Sequence, residues 1–111
     1  TAIDARMQEI YWGLFKRNGQ GMMQQVMEEV VCSPTSLPEL PEGDWFGAGT
    51  GWNAYHEELK SQFNSHLIGY SDDVFPSAKD IIPLAKSAYI EGNIIPVELA
   101  LPVYLRNKVV N

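Results

Sequence analysis

Residues 9–16, Glu-Ile-Tyr-Trp-Gly-Leu-Phe-Lys, restrict the possible folds of this chain more than any other stretch. They are rich in aromatic and β-favouring residues, and both alternating faces are apolar. That pattern predicts a central strand covered on both sides, as in a layered α/β domain. Arg17-Asn18-Gly19-Gln20-Gly21 follows as a hairpin signal, because Asn and Gly accept the positive φ such turns need. Residues 22–32 are then expected to return as the partner strand. Their mixed pattern also permits a helix, and the turn before them decides for strand.

Residues 1–6 read as a short strand entering a polar turn. The chain opens Thr-Ala-Ile-Asp, without Met and already in a strand, so further residues are expected upstream. Ser33-Pro34 can start a helical turn, with Ser as N-cap and Pro at the first position. Pro38 and Pro41 keep any helix there short. Residues 44–48 are expected to form a buried strand running into Gly49-Thr50-Gly51. Asn53 is placed to cap the next helix, in which Tyr55, Leu59 and Phe63 share one stripe. Residues 66–70 predict another strand, with Ser71-Asp72-Asp73 as its turn. Ser77 and Asp80 resemble a capping box ahead of Ile81, Leu84, Ala85, Ala88 and Tyr89. Gly92 is the expected stop. Residues 94–105 read as extended, and Pro96 and Pro102 restrict them to an edge or a connector. Nothing repeats, and no segment is of low complexity.

At 111 residues the chain is one domain's worth, and its 45% apolar and 20% charged residues suit a globular core rather than disorder. Fourteen acids against eight bases give a net charge of −6, which phosphate backbones repel. Arg6 and Lys16-Arg17 form no basic stripe, so direct nucleic-acid binding by this chain alone is not expected. No apolar run approaches the ~20 residues a membrane span needs. The single cysteine, Cys32, cannot close an internal disulfide, and the opening residues lack a signal-peptide pattern. Together these point to a cytoplasmic protein.

Among candidate sites, Gly47-Ala48-Gly49-Thr50-Gly51 follows a strand and opens a helix, the setting in which backbone N–H groups can hold a phosphate. No Lys follows as in a P-loop, and the dinucleotide spacing is not met. The alternative is a tight turn whose glycines serve packing. Asp4 and Arg6 stand at the end of the first strand, where sites on α/β sheets often lie. They can form a ligand site or a pair that stabilises its own turn. His56 and His66, ten residues apart, do not have helical zinc spacing. Cys32 lacks any signature of a nucleophile, and no serine-hydrolase elbow is present. Glu28-Glu29 and Asp72-Asp73 are neighbours that point apart on a strand, so they read as solvated charge.

Four stretches carry a resemblance. Residues 2–12 (AIDARMQEIYW), the turn Gly49-Thr50-Gly51-Trp52, residues 76–85 (PSAKDIIPLA) and residues 102–107 (PVYLRN) resemble, in order, segments of the second half of the bacterial TsaB (YeaZ) family. The resemblance spans nearly the whole chain. It implies an α/β domain of actin-like ATPase type (sugar kinase/Hsp70, ribonuclease H-like), with a mixed sheet and flanking helices. Residues 1–111 would be the C-terminal domain of a two-domain protein whose N-terminal domain lies outside this chain.

The resemblance further implies a non-catalytic partner required by TsaD for threonylcarbamoyladenosine modification of tRNA. TsaD carries the metal and the transfer chemistry, and TsaE is an ATPase. On this view the chain is no enzyme and has no cofactor or metal of its own. It meets TsaD-like and TsaE-like proteins, touches tRNA only within the complex, and has no membrane contact. The main TsaD contact, and a possible homodimer, would use the N-terminal domain. The alternatives are a glycoprotease-like peptidase, after an older family name, and a degenerate nucleotide-binding domain. In active actin-like relatives the positions of Asp4, Gly49, Thr50 and Gly51 approach a nucleotide. Here Ala5 and Arg6 follow Asp4, and bulky Trp52 follows the glycine turn, so Asp4, Arg6, Gly49, Thr50 and Gly51 are expected to be a degenerate site.

Overall fold

The structure, a computed structural model, describes residues 1–106. Asn107, the last residue of the closing motif, lies outside them. The chain divides into two units, Thr1–Phe75 and Pro76–Asn111.

The first unit is mixed α/β. Strands β1 (Ala2–Asp4), β2 (Ile10–Trp12) and β5 (Val30–Cys32) form an antiparallel sheet with β2 in the middle. Ala2 lies opposite Trp12 on one side, and Trp12 opposite Val30 on the other. The central position matches the sequence pattern, but the cover does not. Ile10 and Trp12 are buried on one face, while Tyr11 on the other is only half-buried.

The long strand expected over residues 9–16 is also broken. It stops at Gly13 and resumes as β3 (Phe15–Arg17), which pairs with β4 (Met23–Gln25) in a separate hairpin. The Phe15 ring folds back over Gly13, where a Cβ would lie 2.8 Å from it. The expected return strand breaks at the matching place, between β4 and β5. The hairpin turn forms as its residues require. Asn18 Oδ1 accepts the N–H groups of Gln20 and Met22, each at 3.0 Å, and Gly21 takes φ +79°.

Strands β6 (Trp45–Ala48) and β7 (Leu67–Ser71) pair in parallel, joined by α1 (Gly51–Ala54) and α2 (His56–Phe63). The helical region starts at Gly51, so Asn53 lies inside α1 and caps nothing. Tyr55, at φ −138°, divides the two helices, while Leu59 and Phe63 reach the core as their spacing requires. His66 closes a one-turn 3-10 helix (Asn64–His66), and β7 begins one residue later than expected. Ser33 starts a single turn, its carbonyl accepting the Ser36 N–H at 3.1 Å, with no helix. The core gathers Trp12, Trp52, Ile10 and Leu59, with Phe63 between the two tryptophans at centroid distances of 5.9 and 5.6 Å.

The second unit holds α3 (Ala78–Ile90) and a 3-10 turn (Val97–Leu99). Ser77 precedes α3 in an extended conformation, but its side chain makes no cap hydrogen bond, so the expected capping box is not closed. Instead the Ser77 carbonyl accepts the Asp80 N–H at 3.0 Å. The C-terminal end does follow the sequence. Gly92 takes φ +78°, its N–H meets the Tyr89 carbonyl at 3.1 Å, and the Asn93 N–H meets that of Ala88 at 2.8 Å, a Schellman pair. The stripe of Ile81, Leu84 and Tyr89 is exposed rather than buried. Among the described residues from 76 onward none is buried, and residues 94–105 contain no strand.

Candidate functional site

The end of β1 and the turn after β6 are distant in sequence and adjacent in space. The Asp4 N–H donates to Thr50 Oγ1 at 3.1 Å, which ties the two together across 46 residues. The Asp4 carboxylate turns to its own loop. Oδ1 accepts the Arg6 N–H at 2.9 Å, and Oδ2 lies 3.3 Å from Arg6 Nη1. With the Arg6 side chain 87% exposed, this ion pair contributes at most about 1 kcal/mol. It is the turn-stabilising pair that the sequence allowed.

That loop is bent in an uncommon way. Arg6, Met7 and Gln8 have φ of 63°, 56° and 61°, three consecutive left-handed residues without a glycine. Each costs roughly 1–2 kcal/mol against the right-handed form. Two backbone bonds hold the bend, Ala5 N–H to Glu9 O at 2.9 Å and Glu9 N–H to Arg6 O at 3.0 Å.

The glycine turn is packed from above by β1. A Cβ on Gly49 would run into the Ala2 carbonyl oxygen, and one on Gly51 would meet Ala2 at 3.0 Å. Gly49 also takes φ +111°. Its N–H donates to Ser71 O at 3.0 Å, and its carbonyl accepts the Trp52 N–H at 3.1 Å. The Thr50 carbonyl accepts the Asn53 N–H at 3.2 Å. Helix α1 is a single turn, too short for the dipole of a long helix to favour an anion. Trp52 does not cover the mouth of the turn. Its ring points inward, 1% exposed, against Gly47, Phe63 and a stacked Tyr70 at 5.4 Å. A Cβ on Gly47 would strike that ring.

The structure therefore brings Asp4, Arg6, Gly49, Thr50 and Gly51 together. The two histidines stay on separate elements, His56 beside Glu57 at 2.8 Å and His66 3.7 Å from Asp44. Among the described residues no three His, Cys, Asp or Glu side chains converge as a metal would need. Burial, and after it the charge of Glu9, pushes the Cys32 thiol up, the wrong direction for a nucleophile. Ala2, the group above the glycines, escaped the sequence reading, and Gly47 was singled out there without its particular role as the notch for Trp52. The only sequence signal for either is a small residue in a strand.

No family model matches the chain. It is 36% identical over 112 residues to the tRNA threonylcarbamoyladenosine biosynthesis protein TsaB of Escherichia coli (strain K12), covering 98% of this chain and 48% of that protein. The chain is a TsaB relative. The TsaB of Haemophilus influenzae is 34% identical over 117 residues, with the same shares covered. A Pseudomonas aeruginosa crystal structure described as similar to the peptidase YeaZ superposes with a TM-score of 0.81 at 39% identity, covering 95% of this chain and 47% of that one. YeaZ of the same organism superposes at 0.72 and 35% identity, covering 93% and 47%. The chain thus spans about half the length of the TsaB proteins it matches. No helix among the described residues is long and apolar enough to cross a membrane.

Proposed function

We propose that residues 1–111 are the C-terminal domain of a two-domain TsaB-type protein of actin-like ATPase fold. In this reading the parent is a non-catalytic, cytoplasmic subunit that TsaD-like and TsaE-like proteins require to place threonylcarbamoyl on tRNA. It touches tRNA only within that complex, and any homodimer forms through the other domain. The observation that carries the reading is the match to two TsaB proteins over 98% of this chain.

The site supports inertness. The cradle that a nucleotide phosphate would use at Gly49, Thr50 and Gly51 has Ala2 above it, and the Gly49 and Trp52 amides are already bonded within the protein. The Asp4 carboxylate is engaged with its own loop, accepting the Arg6 N–H and pairing with the Arg6 guanidinium. In this reading Asp4, Arg6, Gly49, Thr50 and Gly51 are the positions of a nucleotide site in degenerate form. The deciding experiment is tRNA threonylcarbamoylation by TsaD and TsaE with and without the full-length parent. Modification that requires the parent, while the parent alone turns over neither peptide nor nucleotide, supports the reading. Modification at the same rate without it refutes the role.

A further inference from the structure

We propose that the cavity between the β3–β4 hairpin and strand β6 is a binding site for a small aromatic carboxylate. The cavity has a volume of about 520 Å3, within the range of ordinary small-molecule sites. Its walls are largely aromatic, with Trp12, Phe15, Trp45, Trp52 and Phe63 all contributing. Offset or edge-on ring contacts add to apolar burial, so a flat aromatic body suits these walls better than an aliphatic chain. Two of the rings also keep a polar demand. Neither the Trp12 nor the Trp52 indole N–H has a hydrogen-bond partner, although the two residues are only 2% and 1% exposed. Buried donors are ordinarily met by water or a bound molecule.

The charges around the cavity select the sign of the ligand. Among the described residues Arg17 is the one charged side chain that lines it. The Arg17 guanidinium is exposed and meets no carboxylate among those residues. Lys16 adds a second cation, its Nζ 5.4 Å from the centroid of the Trp45 ring. No acid stands between Glu9 and Glu28, although the chain has 14 acids against eight bases. A guanidinium beside an apolar cavity can take a carboxylate through two parallel hydrogen bonds. The cavity of about 360 Å3 beside Pro38 and Pro41 is the opposite case, since Glu39 and Glu42 line it and would repel the same anion.

Calorimetric titration of the full-length parent with 2-naphthoate tests this, with 2-naphthamide as a neutral analogue of the same shape. Neither tRNA nor a partner protein is needed, so the result is independent of the modification assay. One saturable site is expected, with naphthoate bound about 5-fold more tightly than naphthamide, the upper end for a solvent-exposed ion pair. That preference should shrink as salt rises. Arg17→Ala should abolish the preference and leave naphthamide binding unchanged. Met23→Trp, at a lining position that is 52% exposed, should fill the cavity and weaken both ligands. The absence of saturable binding to the parent would overturn the inference and show that the parent closes the cavity itself. Equal affinity for the two ligands would also overturn it, as would a preference that survives Arg17→Ala. Affinities untouched by Met23→Trp would place the ligand elsewhere and sink the assignment.

Discussion

The two units of this chain are opposites in how they use apolar residues. Thr1–Phe75 buries three tryptophans and carries eleven of the 14 acids against four bases. Pro76–Asn111 has a nearly balanced charge, and its described part buries nothing. One unit has an interior that accounts for its fold, and the other has the side chains of an interior without the interior. A stripe of apolar residues at helical spacing specifies that a face will be covered. It does not specify by what.

Substitutions should separate the units sharply. The largest effect is expected at Trp52, where replacement by Ala empties a site touching Gly47, Phe63 and Tyr70 and should cost about 3–5 kcal/mol in urea unfolding of the 1–111 chain. Gly49→Ala comes next, since its Cβ meets the Ala2 carbonyl and φ +111° disfavours any side chain. A loss of about 1–3 kcal/mol is expected, and a neutral result would show that β1 does not lie over the turn. Thr50→Val removes the acceptor of the Asp4 N–H at similar volume, and should cost about 1 kcal/mol.

A smaller, pH-dependent effect belongs to Cys32. Its pKa is raised in the folded state by burial and then by Glu9, so the folded chain holds a proton that the unfolded chain has already lost. Stability is therefore unaffected below the ordinary thiol range near pH ~8.5 and falls as pH rises through it toward the folded value. Cys32→Ser should flatten that part of the curve, and an unchanged slope would remove the thiol as its cause. The smallest effect is expected at Tyr89. Tyr89→Ala in the 1–111 chain should change stability by no more than ~0.5 kcal/mol, because no core receives that ring. A loss as large as that at Trp52 would abolish the contrast between the units.

Local chemistry made part of this legible in the sequence. The Asn18–Gly21 turn, the Gly92 stop and the Leu59–Phe63 stripe depend on residues close in the chain, and each formed where its spacing put it. The long strand over residues 9–16 did not. The Phe15 ring folds back on Gly13 beside Glu29, a packing that no periodicity reports. At the candidate site the sequence singled out Asp4, Arg6 and Gly49 to Gly51, and left two roles open for each. What bears on those roles is Ala2, which lies over the turn 47 residues from Gly49 and is invisible to any local pattern. The direction of the Trp52 ring was not legible either, since it packs inward against Gly47, where a Cβ would strike it.

The seat of β1 over the glycine turn also sets an order on folding. Strand β1 pairs locally with β2, but its seat over the glycine turn closes only after residue 51 exists and has turned. Such long-range closures are slow, because the loop entropy is lost before the contact rewards it. During synthesis Ile10 and Trp12 therefore lack their full cover until Trp52, Leu59 and Phe63 emerge, and apolar surface is exposed in that interval.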